Sequence, residues 1–348
     1  MRLWNLRFDL RKAMSSRRRF VLLCLYAAVL TTCCHGATKI AGSKYRGGGD
    51  SSTGGEEDES CSDSSSSSSS SSEPIMPRVV RDGQLVPESE LPIASTFEVD
   101  GRSVHLRPIH DELQLTYVHN LIAPDEIDRL VELASARKGW ARSPLKSQQS
   151  GDELQKDDRR NSSSCPMLWP VAYASRLEQL GAAPNGELLL AELQLVTTLT
   201  SRVADLFTQT GMELTHEFIE PLQLVRYTAT ELFQPHHDYH DPGPDGKLGS
   251  SVQGEQRAFT VLLLGATLPP EGGGETHFPH LKVMVSPRKG DAIIWANVDG
   301  DGMPNPRSLH EGRPPSDGFE KVAVNCWIAD RQFDLGAGKM AKAVRTGE

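Results

Sequence analysis

Cysteine is scarce in this chain and badly placed for covalent bracing. Of six cysteines, Cys24, Cys33 and Cys34 lie in an N-terminal apolar run, leaving Cys61, Cys165 and Cys326 for the rest of the 348 residues. That excludes a disulfide scaffold, and the lack of any CxxC pair removes the usual signature of a zinc ribbon or thiol redox centre. No internal repeat of fixed period is present, which excludes a solenoid. Basic charge is concentrated at the N-terminus. Residues 1–46 carry ten Lys/Arg against Asp9 alone, residues 47–73 carry seven acids and no base, and the chain total of −9 leaves −11 on residues 74–348. An acidic body repels phosphate backbones, so a nucleic-acid substrate is disfavoured. The 38% apolar content is enough for a real core.

The N-terminus reads as a targeting segment. "SSRRRF" supplies a basic flank, and "FVLLCLYAAVLTTCC" (Phe20 to Cys34) supplies an apolar run of signal-peptide length, short for a comfortable membrane span. Residues 1–37 are therefore expected to be a signal peptide or an uncleaved signal anchor, with residues 20–36 holding the membrane in the second case. Either form sends the chain into the secretory pathway, to the lumen of the endoplasmic reticulum or Golgi. No retrieval signal stands at "VRTGE", so residence there would need an anchor or a partner. Residues 38–103 read as a low-complexity spacer and leader. "GGGDSSTGGEEDESCSD" has almost no apolar residue and cannot offset its own ordering entropy, and residues 74–103 add several prolines and weak periodicity. A catalytic-sized domain is expected over 104–334 and a tail over 335–348. Asn161-Ser162-Ser163 is a glycosylation sequon, usable if that loop is lumenal and exposed.

Within the folded part, "APDEIDRLVELASAR" predicts a helix. Pro124 and the acids after it suit a helix start, and Ile127, Leu130, Val131 and Ala134 share one face. A second helical pattern runs from about Leu188 to Thr208, with Leu193, Val196, Leu199 and Val203 as its stripe. The texture then changes to short strands bounded by Gly, Pro or Asp: "LQLVRYT", "RAFTVLLLGA", "LKVMVSP", "DAIIWAN" and "KVAVNCWI". Helices followed by many strands predict an α+β fold with a double-sheet or jelly-roll core.

"QPHHDYHD", residues 234–241, packs three histidines and two aspartates into eight positions. In an extended segment His236, Asp238 and His240 point one way, and His237, Tyr239 and Asp241 the other. A His-x-Asp pair on one face can give two ligands to one ion. His310 in "SLHEG", beyond the strand "DAIIWAN", is a candidate third. Two histidines and one carboxylate leave three open positions on an octahedral metal, the arrangement used by non-heme Fe(II) oxygenases. On spacing alone, a solvated loop whose histidines titrate near neutrality competes with this reading.

The ordered series "LQLVRY…QPHHDY…QRAFTVLLLG…GGGETHFP…VSPRKGDAIIWAN…SLHEGRP…KVAVNCWI" resembles the prolyl 4-hydroxylase family of Fe(II)/2-oxoglutarate dioxygenases over roughly residues 113–330. The resemblance implies a double-stranded β-helix (jelly-roll) core with flanking N-terminal helices, and Fe(II), 2-oxoglutarate and L-ascorbate as cofactors. Carried over position by position, it makes His236, Asp238 and His310 the iron ligands, and Tyr227 and Lys321 the residues that hold 2-oxoglutarate. It leaves His240 unassigned. Arg257 matches a position able to hydrogen-bond a substrate carbonyl, and Trp327 one able to stack on a proline ring. Thr276 and the glycines of "GGGETHFP" look like turn and scaffold residues, and His277 and His280 like surface or satisfied histidines. The spacing from His310 to Lys321 is one residue longer than usual for the family. Because the match resumes at "KVAVNCWI", the extra residue is assigned to "RPPSDGFE".

The implied reaction is hydroxylation of peptidyl proline in a proline-rich or collagen-like partner, with succinate and CO2 as products. Other readings stand beside it. A lysyl or other 2-oxoglutarate hydroxylase shares His-x-Asp…His but more typically holds its co-substrate with arginine. A cytosolic oxygen-sensing prolyl hydroxylase is opposed by the leader. A non-catalytic peptide-binding module would announce itself by failure to bind iron.

Overall fold

A computed structural model describes residues 78–143, 161–242 and 254–333. The segments assigned from sequence to targeting, membrane anchoring, the Ser/Gly/acidic tract and the C-terminal tail lie outside these residues, apart from the leader's end. Among the described residues no helix is long and apolar enough to cross a membrane.

Two antiparallel sheets face one another. The larger runs, in spatial order, β3 (Ser95–Val99), β4 (Arg102–His110), β5 (Leu115–His119), β13 (Ala292–Ala296), β10 (Arg257–Leu264), β15 (Lys321–Ala329), β8 (Gln223–Tyr227), β7 (Ser163–Pro166) and β6 (Ala141–Arg142). The smaller runs β2 (Gln84–Leu85), β1 (Val79–Arg81), β12 (Val283–Val285), β11 (Thr276–Phe278), β14 (His310–Gly312) and β9 (Phe233–His236). Every residue of β10 and β13 is buried. Strands of that kind need cover on both faces, which explains why they read as largely apolar runs, interrupted in β10 by Arg257 and Thr260.

Cover on the outer face comes from helices α1 (Pro124–Ala136) and α4 (Gly186–Gln209); two short helices, α2 (Pro170–Tyr173) and α3 (Leu177–Gly181), precede α4. Pro124 occupies the first turn of α1, where its missing N–H costs nothing, and the Glu126 carboxylate accepts the Ala123 N–H at 2.7 Å. Ile127, Leu130 and Ala134 of α1 and Leu193, Val196, Leu199 and Val203 of α4 are buried as their spacing predicts, together with Val322, Val324, Cys326 and Ile328 of β15. The alternate β15 residue Ala323 instead joins Tyr227, Leu262, Phe278 and Trp295 in a second core between the sheets. Period-two alternation thus gives one strand a helix-backed face and a cleft face.

The folded unit begins earlier than the sequence indicated. Residues 78–103, read as leader, contribute β1 to β3 and the start of β4: β1 pairs with β12, and β3 with β4. Val79, Leu91 and Val99 are buried, and the Arg107 guanidinium bonds the Leu91 carbonyl. The prolines of this stretch and the shortness of β1 and β2 hide the pattern in the sequence. Asn161, of the sequon, is half-buried. Its amide oxygen accepts the Leu232 N–H at 2.8 Å and its amide nitrogen donates to the Thr230 carbonyl at 3.3 Å.

Candidate metal centre

β9 and β14 are neighbours in the smaller sheet, and His236 stands directly across from His310 in their register. That pairing is what a linear reading cannot supply. Asp238, just beyond β9, completes the group: one ligand atom from each of His236, Asp238 and His310 lies within 4.8 Å of the others. Asp238 Oδ1 is 3.8 Å from His236 Nε2, and Asp238 Oδ2 is 3.5 Å from His310 Nε2. His240 does not join them; its backbone N–H and carbonyl are both held by the Gln256 side chain.

Both histidines are oriented for coordination. His236 Nδ1 lies 2.8 Å from the Gln234 carbonyl and His310 Nδ1 2.9 Å from the Ser308 carbonyl. A carbonyl only accepts, so Nδ1 carries the proton and Nε2 keeps its lone pair for the centre. Phe233 stacks on His236 with ring centroids 3.5 Å apart, and Trp295 meets His310 edge-on at 4.7 Å. Asp238 is buried, which by itself works against ionisation. His310, His236, Arg257 and a hydrogen bond from Thr260 outweigh that and hold its carboxyl below the usual carboxylate range. Two imidazoles with free Nε2 and one ionised carboxylate are the donor set of a facial two-histidine, one-carboxylate site for Fe(II), so these residues fit the metal.

Farther along the cleft, Lys321 of β15 stands opposite Tyr227 of β8. Lys321 is buried, with its ammonium 3.3 Å from the Glu275 carbonyl and 5.5 Å from the centre of the Tyr227 ring. Burial lowers its pKa to about 8. Gly312, two residues beyond His310, leaves this corner open: a Cβ there would stand 3.5 Å from Tyr227 Oη and 3.8 Å from Lys321 Nζ. A buried cation and a phenol beside a position kept free of side chain form a cradle suited to a carboxylate. The cleft therefore has a metal end and a carboxylate end, the two functions a keto diacid chelating iron requires. In the segment between His310 and Lys321, Pro314 O accepts the Gly274 N–H at 3.0 Å and Ser316 N–H donates to Gly272 O at 2.8 Å, so this loop is tied to the glycine turn. Gly273 has φ +64°, and a Cβ there would meet Pro314 O at 2.8 Å, so this turn requires glycine.

Arg257 and Trp327 lie together, the guanidinium 3.7 Å above the indole ring. Arg257 is buried and already committed. Its Nε and one Nη bind the Glu220 carboxylate at 2.7 and 2.8 Å, and its other Nη lies 3.4 Å from the Asp238 carbonyl. Arg257, expected to meet a substrate carbonyl, is thus paired within the protein in this structure, and Trp327 is half-buried. His277 is satisfied by Glu311 at 2.6 Å. Sequence reasoning missed Thr260, Asn297 and Gly312, and treated Thr276 as scaffold alone. Thr276 pairs with Gly312, so its side chain shares the face that Tyr227 and Lys321 line. A threonine inside the apolar run "AFTVLLLG" was the one available signal for Thr260.

Residues 222–329 match the family model of the 2OG-Fe(II) oxygenase superfamily, a span that contains Tyr227, His236, Asp238, His310 and Lys321. Among curated proteins, the chain is 31% identical over 137 residues to a probable prolyl 4-hydroxylase 4 of Arabidopsis thaliana, covering 33% of this chain and 43% of the relative. It is 34% identical over 116 residues to a putative prolyl 4-hydroxylase of Acanthamoeba polyphaga mimivirus, covering 33% and 46%. The match spans less than half the length of these relatives. A solved viral collagen prolyl hydroxylase from Paramecium bursaria Chlorella virus-1, in complex with 2OG, aligns with 62% of this chain and 95% of its own at 21% identity and a TM-score of 0.43. Over residues 222–329 the chain is thus similar to the 2OG-Fe(II) oxygenase superfamily, and the curated proteins it resembles are prolyl 4-hydroxylases.

Proposed function

We propose that the protein is an Fe(II)- and 2-oxoglutarate-dependent dioxygenase that converts peptidyl proline to 4-hydroxyproline, with L-ascorbate sustaining the metal in its reduced form. The observation that supports this most is the placing of the histidine–aspartate–histidine group and the Lys321–Tyr227 cradle on one inter-sheet cleft. The relatives' names support proline as the target. The basic and apolar segments at the N-terminus support action in the secretory pathway, with residues 20–36 as a membrane anchor if retained.

In this reading His236, Asp238 and His310 hold Fe(II), and Lys321 with Tyr227 binds the far carboxylate of 2-oxoglutarate. Together with O2 the bound group supplies an oxidation that puts one oxygen atom into a C–H bond of proline and the other into succinate, with release of CO2. The protein's own work is positional. Lys321 neutralises a carboxylate that would otherwise be buried unpaired, Tyr227 donates a hydroxyl proton to it, and the apolar wall of Phe233, Trp295 and Phe278 excludes water around the two histidines. Glu220 and Arg257 hold Trp327 at the mouth, where its ring offers a flat surface for a proline ring.

Incubation of the full chain with Fe(II), 2-oxoglutarate, ascorbate and a panel of proline-rich peptides tests the proposal. Oxygen located on proline by fragment mass spectrometry, and dependent on both Fe(II) and 2-oxoglutarate, is the expected result. Succinate formed without modified peptide would reject the substrate class, and neither product would reject the enzyme reading.

A further inference from the structure

Thr260 lies on β10 with its side chain in the cleft, between Trp295 of β13 and Trp327 of β15 in the cross-strand register. Its hydroxyl is 2.7 Å from Asp238 Oδ2, and the Asn297 side-chain nitrogen is 2.8 Å from the same hydroxyl oxygen. Thr260 and Asn297 are fully buried. The direction of the chain follows from the chemistry. A carboxylate that ligates a metal only accepts, so the single Thr260 proton goes to Asp238. The Thr260 oxygen must then accept, and Asn297 has to present its NH2. That choice leaves Asn297 Oδ1 buried and without a hydrogen bond among the described residues, a cost an apolar side chain would avoid. The amide at this position therefore acts through its N–H.

Asn297 reaches the other side of the site as well. Its backbone carbonyl accepts the Asn305 N–H at 2.9 Å, the Asn305 carbonyl accepts from Ser308 Oγ at 2.8 Å, and the Ser308 carbonyl accepts from His310 Nδ1 at 2.9 Å. One buried residue therefore stands behind two ligands that are 72 residues apart in sequence, Asp238 through its side chain and His310 through its backbone.

We infer that Thr260 and Asn297 are positioning residues for the metal centre: Asn297 fixes the hydroxyl of Thr260, and Thr260 fixes the carboxylate plane of Asp238 so that the lone pairs it does not use face the two histidines. The inference rests on Asp238 being a metal ligand. It makes metal affinity, rather than folding, the property that this chain of hydrogen bonds sets.

The test is anaerobic calorimetric titration of the full chain with Fe(II), with Co(II) as an air-stable second probe. Thr260→Val keeps the shape and removes the hydroxyl; it is expected to weaken metal binding about 10–100-fold. Thr260→Ser keeps the hydroxyl and should restore affinity close to that of the unmodified protein, a rescue that a packing role would not produce. Asn297→Leu should show a partial loss, and the double variant Thr260→Val/Asn297→Leu should bind no worse than Thr260→Val alone, because Asn297 acts through the hydroxyl. Equal affinity for Thr260→Val and the unmodified protein, or Thr260→Ser as weak as Thr260→Val, overturns the inference. If Thr260→Val does not fold, Asn297→Leu decides by itself, and unchanged affinity there overturns it. Failure of the unmodified protein to bind either metal would instead overturn the metal centre.

Discussion

The two faces of the larger sheet are made from the same strands and carry opposite kinds of side chain. On the helix-backed face β15 presents Val322, Val324, Cys326 and Ile328 to Ile127, Leu130, Val196 and Leu199, with scarcely a polar atom between them. On the cleft face the same strand presents Lys321, and the wall around it buries Thr260, Asp238, Arg257 and His310. Apolar burial returns about 1.5–3 kcal/mol for each large side chain, whereas a buried ion is a cost unless paired. The helix side therefore supplies the stability that lets the cleft side hold ionisable groups. Both groups are in place before any ligand arrives: Asp238 already has a hydrogen bond and neighbouring positive charge, whereas buried Lys321 stands at a cost that a dicarboxylate would relieve.

The sharpest way to break this division is at the metal end. Asp238→Ala should reduce turnover to background and also lower the thermal unfolding temperature of the metal-free protein, because Thr260 and Arg257 lose the carboxylate they are placed against. At the carboxylate end Lys321→Ala should raise the 2-oxoglutarate concentration needed for half-maximal succinate production about 30-fold or more. That corresponds to the about 2–5 kcal/mol lost when one partner of a buried charge pair is truncated. The helix-backed face should respond in the opposite sense. Leu199→Ala should cost about 2–5 kcal/mol in chemical denaturation and leave the 2-oxoglutarate requirement unchanged in the fraction that remains folded. The smallest effect is that of pH. Burial lowers the pKa of Lys321 to about 8, so in the free enzyme its positive charge is present below that pH and lost above it. The bound dicarboxylate favours the charged form, so the apparent affinity for 2-oxoglutarate should fall above pH 8 by up to about tenfold per unit. In Lys321→Arg, whose guanidinium stays charged, this decline should disappear even if affinity is lower throughout.

The same contrast explains what the sequence disclosed. The helix-backed face was legible because a repeat of 3.6 on α1 and α4 and mostly apolar runs on β10 and β13 announce burial. The metal ligands were legible as residue types, since His236 and Asp238 are two apart on an extended segment. Their union with His310 depended on β9 lying beside β14, a long-range pairing that no local pattern encodes. Thr260 and Asn297 were hidden because a lone polar residue at a strand centre or end resembles ordinary variation, and their importance lies in a chain of contacts. At the N-terminus, prolines and short strands concealed β1 to β3. A fragment starting at residue 104 would lose buried Val79, Leu91 and Val99 and should unfold more readily than one starting at residue 78.

The most direct test of the account is spectroscopic. Anaerobic addition of Fe(II) and then 2-oxoglutarate to the full chain should produce a visible charge-transfer band, as expected when a keto acid chelates ferrous iron. The band should be absent in Asp238→Ala and should require higher 2-oxoglutarate in Lys321→Ala. A folded, unmodified protein that binds neither component, or a band that persists unchanged in both variants, would contradict the assignment of the cleft face as the site where metal and dicarboxylate meet.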